Sequence, residues 1–143
     1  MIDLVNAVSA RDIAVSGLRA QRMRMNIIAN NIANAFTTRT PEGGAFRRQM
    51  AVFAGTEIRT GAQSEDLGVR VRQVISDPAP LRQAYEPSHP DADADGMVYY
   101  PNISLSAEMV DLVAAQRGYE ANLAVMSANT RMNERVQDML QQV

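Results

Sequence analysis

The chain has no cysteine, no lysine and no tryptophan, one histidine, and aromatic side chains at only 5% of its 143 positions. Without cysteine there is no disulfide, no thiolate nucleophile and no thiolate metal site, although an oxidising compartment permits disulfides without demanding them. His89, between Ser88 and Pro90, has no second imidazole with which to share a metal, and reads as a turn residue bonded to nearby backbone. Charge of one sign is also lacking: 14 basic against 16 acidic side chains leave -2, too balanced for a nucleic-acid footprint or a polybasic membrane anchor. No apolar run is long enough to span a bilayer. No phosphate loop, nucleophile elbow or motif-placed carboxylate pair occurs, so no enzyme, no catalytic residue and no cofactor is expected. The stretch Met1 to Asn6 lacks the basic and apolar regions of a Sec-type signal peptide, so a place outside the cytoplasm would require another export route. All the basic residues are arginine, whose planar fork suits ordered polar interfaces, though a composition bias of the host genome gives the same count.

What is present divides into three zones. In the first, 1–34, apolar residues at Leu4, Val8, Val15, Leu18, Met25, Ile28 and Ile32 step by three, four or seven, a single helical stripe. Arg11 and Arg22 interrupt it, so it is no simple coiled-coil seam. Ser9 with Asp12 suggests a late helix start, and Asn30, Asn31 and Asn34 suit a left-handed stop. Gly17 inside this helix, like Gly118 in the last one, weakens it but permits close backbone approach.

The second zone, 35–103, holds all six prolines. Pro41 to Gly44 is a turn, Phe46 to Phe53 reads as a strand, and Val69 to Gln73 alternates like a half-exposed strand. The motif Asp91-Ala92-Asp93-Ala94-Asp95-Gly96 copies the first half of a calcium loop, but its twelfth position is Asn102 and prolines exclude the flanking helices. It reads as a solvated acidic turn, with no metal ligand assigned.

The third zone, 104–143, opens with Ser104 as N-cap and Glu108 near the positive helix end. Leu105, Met109, Leu112, Gln116, Tyr119, Leu123 and Met126 step by four and three without a slip, after which the apolar set moves to Met132, Val136 and Leu140. The expected fold class is mainly α with a small β-rich insert, the long N- and C-terminal helices packing as a coiled-coil-like pair. Helices of about 30 and 38 residues would be about 45 and 57 Å long, too long for the insert to cover. They must pack on each other, on neighbouring molecules, or on both.

The stretch Ser16-Gly17-Leu18-Arg19-Ala20-Gln21, continuing through Asn26 to Ala35, resembles the N-terminal signature of the flagellar rod and hook axial proteins. Gly43 to Gln49, Tyr85 to Pro90, Ala94 to Val98, and the last-helix runs Glu108-Met109-Val110 and Arg117 to Asn122 are similar to the proximal-rod members of that family. The resemblance implies a structural subunit of the basal-body rod, polymerising through its terminal helices in the periplasm after export by the flagellar type III apparatus. It implies as partners other copies of the chain, the rod proteins FlgB, FlgF and FlgG, the FliE adaptor and the membrane ring, with no nucleic acid and no small-molecule substrate. The surfaces expected to meet other subunits are Val8, Val15, Leu18, Arg22, Met25, Ile28, Asn31, Ile32 and Asn34 on the first segment. On the last they are Leu105, Met109, Leu112, Gln116, Tyr119, Asn122, Leu123, Met126, Met132, Val136 and Leu140. Alternatives are a closed helical adaptor or a calcium-responsive binding module.

Overall fold

A computed structural model describes residues 10–60 and 63–141. Two helices enclose two small sheets: α1 (Ala10–Ala33), β1 (Gln49–Thr60), β2 (Gln63–Ser76), β3 (Arg82–Tyr85), β4 (Met97–Tyr100) and α2 (Leu105–Gln141). The fold is the expected one, mainly helical with a small β insert. Leu4, Val8 and Ser9 lie outside the described residues.

α1 begins at Ala10 with Asp12 in its first turn, where a carboxylate favours the positive end. Its end departs from expectation, because no described residue other than glycine has a positive φ. Asn34 closes the helix instead by donating from both its N–H (3.1 Å) and its side-chain amide (3.0 Å) to the Asn30 carbonyl. A tighter turn follows, the Ala35 N–H donating three residues back to the Ile32 carbonyl at 3.3 Å. The Pro41 to Gly44 turn is present, with Gly43 and Gly44 at φ 91° and 74°. There the Thr40 N–H donates to the Gly44 carbonyl at 2.9 Å.

β1 and β2 form one long antiparallel hairpin, paired from Gln49 opposite Ser76 to Thr60 opposite Gln63. It is longer than the sequence pattern suggests, since the strand expected at 46–53 starts at Gln49 and runs on to Thr60. Gly55 and Gly68 mask the pattern, and cross-strand pairing carries both strands through them with register shifts at Val52/Phe53 and Thr56/Glu57. β3 and β4 form a second, four-residue pair, also unmarked in the sequence. The hairpin lies along α1. Its Val69 N–H donates to Ser16 Oγ at 3.1 Å, and Gln49 is bonded to Asn31. Fifteen helical residues cover about 22 Å. Seven strand residues, from Val69 to Ser76 opposite Gln49, cover about 23 Å, so the two elements run in step.

α2 starts after Ser104, whose carbonyl accepts the Glu108 N–H at 2.9 Å and whose hydroxyl lies 3.5 Å from the Ala107 N–H. It packs antiparallel on α1: Asn31 meets Glu108, Arg24 meets Asp111, Gln21 meets Gly118 and Gly17 meets Asn122. α1 therefore has α2 on one side and the hairpin on another. The fully covered apolar side chains are mostly small, among them Ala14, Ala20, Ile27, Ile28 and Ala115. Small residues let backbones approach closely, so this core is tight and narrow instead of thick and oily. A second buried group, Ala35, Val98, Pro101 and Ile103, flanks the helix ends.

Candidate functional site

Two features stand out: a buried polar junction where α1, α2 and the hairpin base meet, and a long uncovered apolar surface on α2.

The junction centres on Glu108, whose side chain is 1% exposed. Its Oε1 accepts from Arg48 Nε, and its Oε2 accepts from Asn31 Nδ2 at 3.2 Å. Asn31, also buried, pairs with the backbone of Gln49 at both ends: its Nδ2 donates to the carbonyl at 2.9 Å and its Oδ1 accepts the N–H at 2.8 Å. The side-chain amide thus imitates a neighbouring strand. The Arg48 guanidinium also reaches Asp111 at 3.5 Å and Asp77 at 3.9 Å, and Arg24 pairs with Asp111 at 3.1 Å. A carboxylate taken out of water is tolerated only when charged and polar partners surround it. The position of Glu108 near the start of a helix suggested a dipole partner; its real role is a cross-element bond. The missed signal was the inner stripe itself, Glu108, Asp111, Ala115, Gly118 and Asn122, which steps by three and four but is small and polar.

That stripe, and not the ladder from Leu105 to Met126, is the face of α2 that meets α1. Of the regular ladder, apolar but for Gln116, Leu105, Leu112, Tyr119 and Met126 are half-buried beside the seam, whereas Met109, Gln116 and Leu123 are exposed. The helix seats its small residues on α1 because Gly17 and Gly118 bring the axes close. A Cβ at Gly17 would sit 2.5 Å from Asn122 Oδ1, and one at Gly118 would sit 3.1 Å from Gln21 Cδ. The apolar ladder is rotated aside. On α1, Ile28 and Asn31 are used up inside the molecule, Val15, Leu18, Met25, Ile32 and Asn34 are half-buried, and Arg22 is exposed. Asn122 is occupied by the seam, its Nδ2 donating to the Gly118 carbonyl at 2.7 Å.

The uncovered surface of α2 is a second stripe, Val110, Ala114, Arg117, Ala121, Ala124 and Ala128, stepping by four and three and exposed throughout. Val110 is 70% exposed, and Met132, Val136 and Leu140 continue the apolar surface at 64%, 50% and 73%. No helix among the described residues is long and apolar enough to cross a membrane.

The acidic turn is held by its own backbone: Asp93 Oδ1 accepts the N–H groups of Asp95 (3.0 Å) and Met97 (2.9 Å). Asp91 accepts the Thr38 hydroxyl at 2.7 Å and pairs with Arg39. No group of three potential metal-ligating side chains converges among the described residues. His89 Nδ1 accepts the Asp91 N–H at 3.1 Å, and its ring meets Tyr100 edge to face at 6.3 Å. The Tyr100 phenol is pushed above its ordinary pKa, first by desolvation, then by its hydrogen bond to Glu86 and the charge of that carboxylate, with Arg82 opposing.

A helix pair bearing a β arm and a structural polar junction, with an apolar stripe left in solvent, fits a protein that buries that stripe against a partner. Comparison with known proteins makes this specific. Residues 12–39 match the family described as flagella basal body rod protein, and residues 94–143 match the flagellar basal body rod FlgEFG protein C-terminal family. The chain is 41% identical to the flagellar basal-body rod protein FlgC of Borreliella burgdorferi, covering 87% of this chain and 91% of that one. It is 42% identical to the FlgC protein of Yersinia enterocolitica (81% and 84% covered) and 38% identical to that of Aquifex aeolicus (94% and 96% covered). The chain belongs to the FlgC family of flagellar basal-body rod proteins. It is accordingly a structural subunit of the basal-body rod and not an enzyme.

Proposed function

We propose that this subunit joins copies of itself and other rod components through the outer stripe of α2, building the proximal part of a helical drive shaft across the periplasm. The observation that carries this reading is the run of exposed apolar residues from Val110 to Leu140, which the subunit's own α1 and hairpin do not cover. Such a surface in water favours burial against a partner. A helix face that meets a different face of the next molecule makes a heterologous contact, which propagates as a helix instead of closing. In this reading the segments 1–34 and 104–143 form the axial core, and 35–103 is carried on it. The interface is drawn from Val110, Val113, Ala121, Met132, Val136 and Leu140; Ile28, Asn31 and Asn122 serve the subunit's own packing. FlgB, FlgF, FlgG, FliE and the membrane ring are the proposed neighbours, and delivery is through the flagellar type III apparatus without a cleaved signal peptide.

The test is complementation of a strain lacking this chain with Val110→Asp, Ala121→Asp and Val136→Asp, singly and together. The expected result is rods that stop short and cells that do not swim, while the purified variants keep the helical circular dichroism of the parent. Full motility of the triple variant would refute the stripe as the joining surface.

A further inference from the structure

Charge is unevenly shared along the chain. Residues 77–103 hold five acidic side chains against one arginine, whereas the rest of the chain holds thirteen arginines against eleven acidic residues. The acidic excess gathers at the tip Asp93-Ala94-Asp95, whose three residues are all exposed. The tip is held in shape, since Asp93 Oδ1 accepts the Asp95 and Met97 N–H groups and Asp91 is fixed to the Thr38 hydroxyl. The Asp95 carboxylate makes no hydrogen bond or ion pair among the described residues.

A complementary feature lies between α1 and β2. A groove of about 280 Å³ is lined there by Ala20, Met23, Val69 and Val71, and each wall adds an arginine, Arg19 from the helix and Arg70 from the strand. Both arginines are exposed, and neither forms an ion pair among the described residues. The subunit cannot bring its own acidic tip to this groove. Thr38 ties the tip beyond the end of α1, and neither β3 nor β4 touches α1 or the hairpin. Arg19 lies 14 residues back from Ala33, about 21 Å along the helix. At physiological salt such charges are screened from one another, the Debye length being about 8 Å.

We propose that the groove between α1 and β2 receives the acidic tip of a second copy of this chain. Ala94 enters among Met23, Val69 and Val71, while the Asp93 and Asp95 carboxylates meet Arg19 and Arg70. Size selects a turn: the groove admits a tip of this kind, whereas a helix about 10 Å across, such as the exposed end of α2, does not fit. A tip already held in shape loses little freedom on docking. Groove and tip are different surfaces of one molecule, so the contact is heterologous and repeats from copy to copy. It deepens the reading above, on which it rests for copies meeting in a rod, by naming a contact besides the α2 stripe.

The absence of cysteine gives a direct test. One full-length chain carries Met23→Cys, a second carries Ala94→Cys, and both are expressed in a strain lacking the parent. A short bis-maleimide is applied to the swimming cells and, separately, to the two purified chains mixed at high concentration. A mixed dimer is expected from both, and in the purified mixture its yield should fall as salt rises. Arg19→Glu with Arg70→Glu, added to the Met23→Cys chain, should lower the yield by about tenfold or more, because like charges then face each other. Asp95→Arg, added to the Ala94→Cys chain, should recover part of that loss. All three positions are exposed, and the variants should keep the parent's circular dichroism. Swimming cells without the mixed dimer overturn the groove contact and leave the rod reading standing, since their rods are built. Where a cysteine variant builds no rods, a purified mixture that yields no mixed dimer overturns it. So does a yield indifferent to both salt and charge reversal. A charge-dependent mixed dimer alongside full motility of the triple α2 variant would instead refute the stripe and keep the groove contact.

Discussion

Replacing Gly17 by alanine probes the packing of the helix seam directly. In an open helix interior the change would stabilise by about 1 kcal/mol, the difference in intrinsic helix propensity. Here the new methyl group would lie 2.5 Å from Asn122 Oδ1 and 2.8 Å from its Cγ, inside any van der Waals contact. Asn122 cannot swing away freely, since its Nδ2 is bonded to the Gly118 carbonyl at 2.7 Å. Overpacking of this kind costs about 1 to 3 kcal/mol, so the net effect is a loss of up to about 2 kcal/mol. Asn122→Ala alone exchanges one hydrogen bond of about 1 kcal/mol for a better helix former, and is expected to be nearly neutral. The double variant removes the clash and fills the space with the methyl group, so it should match or exceed the parent. Thermal unfolding followed at 222 nm is the assay, with each kcal/mol shifting the midpoint by about 4 °C at this size. A coupling of about 1 to 3 kcal/mol between the two positions is expected. Additive effects, with the double variant as unstable as Gly17→Ala, would refute the close seam and with it the antiparallel register.

Two further outcomes follow from local geometry. An absorbance titration should show a tyrosine component ionising above the ordinary phenol range, and Tyr100→Phe should remove that component. The folded chain holds this proton more tightly than the unfolded chain does. The associated stability is therefore intact below the ordinary phenol value of 10.0 and is lost as pH rises through the folded value. Asp93→Ala deletes an acceptor for two backbone N–H groups in the acidic turn, and should cost about 1 to 2 kcal/mol of stability. That loss should be the same with calcium or with a chelator; a calcium-dependent rise in the parent's unfolding midpoint, abolished in the variant, would revive the metal-loop reading.

Periodicity and punctuation were enough to determine the long end helices, the helix start at Ser104, the Gly43-Gly44 turn and the absence of catalytic motifs, because these depend on a few adjacent residues and on steps of three and four. The full extent of the β1–β2 hairpin was not legible, since Gly55 and Gly68 weaken each strand alone and only pairing across the hairpin sustains them. Nor was the inward face of α2. An apolar ladder from Leu105 to Met126 is the natural choice when water is the only neighbour considered. Which stripe is buried depends on the surface facing it, and α1 offers Gly17, Arg24 and Asn31. Those residues accept Asn122, Asp111 and Glu108, so the polar stripe turns inward and much of the apolar surface stays in solvent. Residues 77 and more positions apart, such as Asn31 and Glu108, acquire meaning only when the chain brings them together; burial then makes their hydrogen bonds obligatory.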